Sequence, residues 1–103
     1  MQIDSGFDSG NIERLEGDGP EFRLAIRKDN QSDFYQWFHF RLSGARDRDC
    51  ELAIVNAGGA AYAGGWKDYQ AVASYDRKRW LRVPTAYDGS TLTIRHRPER
   101  DAV

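Results

Sequence analysis

Few residues in this sequence are equipped for catalysis. His96 and Glu99 have the H-x-x-E spacing by which a zinc peptidase presents two metal ligands. A third ligand is needed, no histidine follows His96, and the one other histidine is His39. A catalytic zinc also needs a general base and a cation to hold the developing anion. The tetrapeptide therefore reads as a strand end followed by a turn. A small metalloenzyme built on His39, His96 and Glu99 ranks last among the functional readings, since all three would have to converge. The run from Gly58 to Lys67 suggests a phosphate cradle, because Gly59 and Gly64 have P-loop spacing. That motif next requires Lys and then Ser or Thr, and Gly65 and Trp66 stand there instead. The run reads as a tight loop using glycine's backbone freedom. Ser74, Ser90, Thr91 and Cys50 carry potential nucleophiles, but nothing nearby marks a base for any of them.

The densest feature is aromatic: Phe34, Tyr35, Trp37, Phe38 and Phe40. By alternation, Phe38 and Phe40 face a core, while Tyr35 and Trp37 face the other way beside His39 and Arg41. That second side is either a surface for sugar rings or a partner, or a further buried layer. Large aromatics favour burial or domain contact. Charge is uneven. Over residues 76–100, Arg77, Lys78, Arg79, Arg82, Arg95, Arg97 and Arg100 stand against Asp76, Asp88 and Glu99. On one face they would suit an acidic peptide better than DNA, although protection of strand edges weighs more.

The elements that must position these residues are short. The chain has 103 residues, enough for one domain, taken as 1–103. Apolar residues make up 40%, charged 30% and aromatic 13%, a globular balance that argues against disorder. A net charge of −1 gives no field for nucleic acid or an anionic membrane. No apolar run reaches the roughly 20 residues of a membrane span. The first residues lack the basic and apolar stretches of a signal peptide. With Cys50 as a lone structural thiol, the expected location is cytoplasmic.

Turn-rich segments separate apolar stretches of strand length. Phe22, Leu24 and Ile26 alternate with polar or small residues, as do Phe38, Phe40 and Leu42, then Leu52 and Ile54, then Leu92 and Ile94. These ten residues are the predicted core. Asp88-Gly89 predicts a two-residue hairpin turn, and Asp76–Arg79 a looser one. Pro84 predicts that Trp80–Val83 is short or at an edge. The expected fold is all-β, an antiparallel β-sandwich of about seven to nine short strands. Asp101-Ala102-Val103 lacks a strand pattern and reads as a domain boundary.

Five segments occur in a familiar order: Phe7-Asp8-Ser9-Gly10-Asn11, Tyr35 to Arg41, Tyr62 to Tyr69, Ala73 to Trp80, and Arg82-Val83-Pro84-Thr85-Ala86-Tyr87. Together they resemble the N-terminal domain of the cytosolic carboxypeptidases, a branch of the zinc metallocarboxypeptidases, in its bacterial form. The resemblance implies a β-sandwich preceding an α/β catalytic domain. That second domain would carry the zinc, an H-x-x-E pair, a catalytic glutamate and substrate-gripping arginines. It implies that this chain holds no catalytic, cofactor or metal residue of its own. His96 and Glu99 would then lie in the last strand and not be the family's zinc pair. A sandwich beside a catalytic domain needs an apolar docking face, and Trp37, Tyr69, Tyr75 and Trp80 are the candidates, with His39 and Arg82 as polar partners. Its expected work is support of folding and of substrate access to the neighbouring site, with an acidic peptide as one candidate substrate. Isolated, the face would favour self-association. The alternative is a stand-alone carbohydrate- or peptide-binding sandwich, with Trp37 or Trp66 exposed in a groove.

Overall fold

A computed structural model describes residues 1–7, 10–17, 19–27, 37–60 and 63–103. Nine short strands are present among the described residues: β1 (Gln2–Asp4), β2 (Glu13–Glu16), β3 (Glu21–Ala25), β4 (Arg41–Ser43), β5 (Cys50–Ile54), β6 (Val72–Ala73), β7 (Leu81–Arg82), β8 (Thr85–Tyr87) and β9 (Leu92–His96). The main sheet has the order β2-β3-β5-β9-β8, and β1-β4 and β6-β7 form two-stranded sheets. The described chain is all-β and sandwich-like, and its helical content is limited to two 3-10 turns, Ala57–Gly59 and Ala63–Trp66.

Register explains why the alternating residues form this sheet. Phe22 pairs with Leu52 and Leu52 with Ile94; Leu24 pairs with Ile54 and Ile54 with Leu92. Because strand side chains alternate, each row lies on one face, and all six residues are buried. Burying a side chain of this size contributes about 1.5–3 kcal/mol. Leu42, Ala71, Val83 and Trp66 join the same core, and the partly buried Phe38, Phe40 and Tyr69 pack against it.

Three expectations need correction. The pair β3–β5 runs parallel, whereas every other strand pair is antiparallel. In sequence β4 comes between them and pairs with β1 outside the main sheet, so β3 and β5 are not joined as a hairpin. The strand expected around Phe38 and Phe40 is confined to Arg41–Ser43, and both rings are half-buried. Phe34 and Tyr35 lie outside the described residues. The Asp88-Gly89 hairpin exists, but Tyr87 pairs with Leu92, so four residues form its loop. Asp88 Oδ1 accepts the Ser90 and Thr91 amides at 2.9 and 2.7 Å and lets Gly89 take φ +96°, so side-chain capping replaces the tighter turn.

The looser hairpin is present as well. β6 and β7 pair across it, and β7 is two residues long, as Pro84 requires. Asp76 Oδ1 accepts the Lys78 and Arg79 amides, and the buried Ser74 hydroxyl accepts that of Arg77, which adopts φ +62°. The glycine run folds tightly. A side chain on Gly58 would start 2.8 Å from the Gly89 carbonyl oxygen, so this turn packs directly on the β8–β9 loop.

Candidate functional site

An open groove of about 790 Å³ is lined in part by Leu52, Ile94 and His96 of the main sheet. One wall is the continuous run Trp37–Leu42, and the other is Ala71–Arg77 with Trp80. Phe7 lies at the groove, and Ala102 and Val103 also border it. Folding brings five of the six candidate residues here: Trp37, His39, Tyr69, Tyr75 and Trp80. Arg82 is exposed on β7, opposite Val72, and does not line the groove.

The two tryptophans that border the groove remain open to solvent, Trp37 at 55% and Trp80 at 49% exposure. Trp66 differs. It is buried, and its Nε1–H donates to the Ala57 carbonyl at 3.0 Å. The aromatic readings of Trp37 and Trp66 therefore separate, and only Trp37 is available to a partner.

A column of rings and charge ties the walls together. The Arg77 guanidinium lies 5.1 Å from the Phe7 ring centroid. Phe7 meets His39 edge-on at 5.0 Å, and His39 meets Trp80 at 6.1 Å. Such contacts are each worth about 0.5–1.5 kcal/mol beyond area burial. Tyr69 packs edge-on against Phe38 and Trp66, and burial pushes its phenol pKa up. At the wall, Asp4 and Arg41 form a 2.6 Å ion pair. The Gly6 amide, followed by Arg41, holds the Asp4 carboxyl below its usual range.

Asn11 fixes the start of the aromatic wall. Its Nδ2 donates to the Trp37 carbonyl at 2.9 Å, and its Oδ1 accepts the Arg27 amide at 3.0 Å. Its backbone exchanges two hydrogen bonds with His39. Phe7, Asn11 and Arg77 are not among the six residues the sequence offers for the apolar face. The signal for Asn11 was weak, since a polar residue in a turn segment gives no hint of its distant partners.

His96 and Glu99 form a structural cluster. The Glu99 amide donates to the Tyr75 hydroxyl at 3.0 Å, which lets that hydroxyl donate to His96 Nε2, 3.2 Å away. Burial holds the His96 pKa below its ordinary 6.5, against the opposing pull of Glu99. Arg100 lies 6.0 Å from the Tyr75 ring centroid. Among the described residues, no three His, Cys, Asp or Glu side chains gather as a metal site. With Nε2 engaged by Tyr75, this donor set does not fit zinc. Cys50 is buried, and desolvation pushes its thiol pKa up, away from nucleophilic character.

The groove is thus an aromatic surface with a polar frame, and known proteins share the fold that builds it. A metallo-carboxypeptidase from Burkholderia cenocepacia superposes with a TM-score of 0.95 at 51% identity, over 98% of this chain and 27% of its own. A metallo-carboxypeptidase from Pseudomonas aeruginosa gives 0.94 at 47% identity, over 99% and 28%. An uncharacterised protein of Zymomonas mobilis is 50% identical over 98 residues, 95% of this chain and 26% of its own. The chain therefore spans about a quarter of the length of these relatives. Residues 3–103 match the family described as the cytosolic carboxypeptidase N-terminal domain, and the chain belongs to that family.

Proposed function

We propose that this chain is the non-catalytic N-terminal domain of a longer zinc metallocarboxypeptidase, and that its groove docks the catalytic domain of the same polypeptide. The observation that carries the reading is the union of two exposed tryptophans with the last residues of the chain. Trp37 and Trp80 border the same groove as Ala102 and Val103, so a chain continuing from Val103 leaves beside an apolar surface awaiting cover. The relatives' length supports such a continuation. The catalytic domain would hold the zinc, and the residues described here would hold none of it.

In this reading the domain supports the folding of its neighbour and shapes substrate access, and the whole works in the cytoplasm. An acidic peptide is the proposed substrate class, through the exposed cations Arg77, Lys78, Arg79 and Arg82. Among the described residues none of these four forms an ion pair. Comparing peptidase activity of the 103-residue chain and of the longer protein, each with added zinc, tests the assignment. Hydrolysis of C-terminal residues by the longer protein alone supports it. Zinc-dependent cleavage by the short chain overturns it. Exposed Trp37 and Trp80 also keep a second reading in place, a carbohydrate- or peptide-binding module, which binding of a soluble glycan or peptide by the longer protein at these tryptophans would favour.

A further inference from the structure

We propose that the residues following Val103 add a strand to the open edge of β4, so that the two domains are joined through a shared sheet rather than a free linker. The inference rests on the docking reading above and deepens it.

The backbone of the last residues already forms the start of that strand. Gly44 donates to the Asp101 carbonyl at 2.8 Å, and Ser43 and Ala102 form an antiparallel bridge. Leu42 and Val103 exchange both of their hydrogen bonds, at 2.8 and 2.9 Å. On the opposite edge, Ser43 and Arg41 pair with Gln2 and Asp4 of β1, and His39 exchanges hydrogen bonds with Asn11. In an extended chain, alternate residues present their N–H and C=O to the same side. Residues 39, 41 and 43 thus face the N-terminal segment, and 40, 42 and 44 face the C-terminal one.

Phe40 is next in this ladder. Its N–H and C=O have no backbone partner among the described residues, although the residue is half-buried and lines the groove. Half-buried backbone groups next to a formed ladder favour an added strand. The antiparallel register assigns their partner: the second residue after Val103 faces Phe40 as Val103 faces Leu42. Continuing in that direction, the chain runs past Phe38 and Trp37, between that wall and β6. The occupant is therefore an extended segment of the same polypeptide, entering the groove from its own end.

Amide exchange and tryptophan quenching in the longer protein test this. The expected result is that the Phe40 amide exchanges within about tenfold of the Leu42 amide, both far slower than an open amide. A proline at the second position after Val103 should speed Phe40 exchange by about tenfold, and a proline at the third position should leave it unchanged, because that N–H points away. Free exchange at Phe40 with Trp37 and Trp80 shielded from acrylamide overturns strand addition and leaves docking intact. Free exchange with both tryptophans quenched overturns both. Slow exchange with quenched tryptophans supports the added strand and overturns docking over the groove.

Discussion

The interior of the main sheet and the rim of the groove are built from similar residues and end in different states. In the sheet, the apolar rows of β3, β5 and β9 meet one another, and every large side chain in them is buried. At the groove, Trp37, Trp80 and Val72 are each more than 40% exposed. The difference lies in backbone pairing. Among the described residues, β5 has a neighbour on both edges, whereas β6 and β7 have only each other, and β4 has an incomplete ladder at Phe40. An apolar surface that its own sheet does not close is available for a neighbour.

Perturbations of the two regions should therefore differ in size. The largest loss is expected in the sheet: Ile54→Ala opens a cavity between Leu24 and Leu92 and should cost about 2–5 kcal/mol in denaturant unfolding. A cost near zero would mean that the rows do not carry the core. Trp66→Phe is next. It keeps a ring but removes the donor to the Ala57 carbonyl, and about 1–3 kcal/mol should be lost.

Acidity gives a third, smaller handle. The His96 pKa is depressed in the folded chain, so the unfolded chain binds the proton more readily. This contribution is fully present above the ordinary value of 6.5 and is lost as pH falls below it through the folded pKa. Melting temperature should fall over that window, before the carboxylates Asp4, Asp76 and Asp88 begin to protonate, since theirs are held below 3.8. His96→Gln should flatten the slope, and an unchanged slope would exclude His96 as its source. The smallest effect on stability is expected at the groove. Trp80→Ser removes the contact with His39 and should shift unfolding of this chain by about 1 kcal/mol. The same change should reduce any self-association seen by sedimentation, and a large loss of stability would place Trp80 in the core.

The sheet was legible in the sequence because strand alternation is a local pattern. Phe22, Leu24 and Ile26, then Leu52 and Ile54, then Leu92 and Ile94, all fall where period two puts them. Phe38 and Phe40 follow the same pattern yet stop half-buried, because alternation assigns a face but not a partner. The parallel pairing of β3 with β5 was illegible for a related reason: direction depends on where the intervening chain travels. At the groove, residue types announced Trp37, His39, Tyr69, Tyr75 and Trp80. Their convergence with Phe7 and Arg77 comes from contacts distant in sequence, which periodicity does not carry.

The position of β5 also sets an order of events during folding. Neither of its neighbours is adjacent to it in the chain: β3 reaches it by a crossover through β4, and β9 comes after the whole β6–β8 region. Non-local strand pairing slows folding, because loop closure must precede the contacts that reward it. On a ribosome releasing the chain from its N-terminus, β5 emerges long before β9 and waits with one edge bare. Until β9 is made, the Cys50–Ile54 segment is therefore an open edge on which a growing chain can pair with another copy of itself.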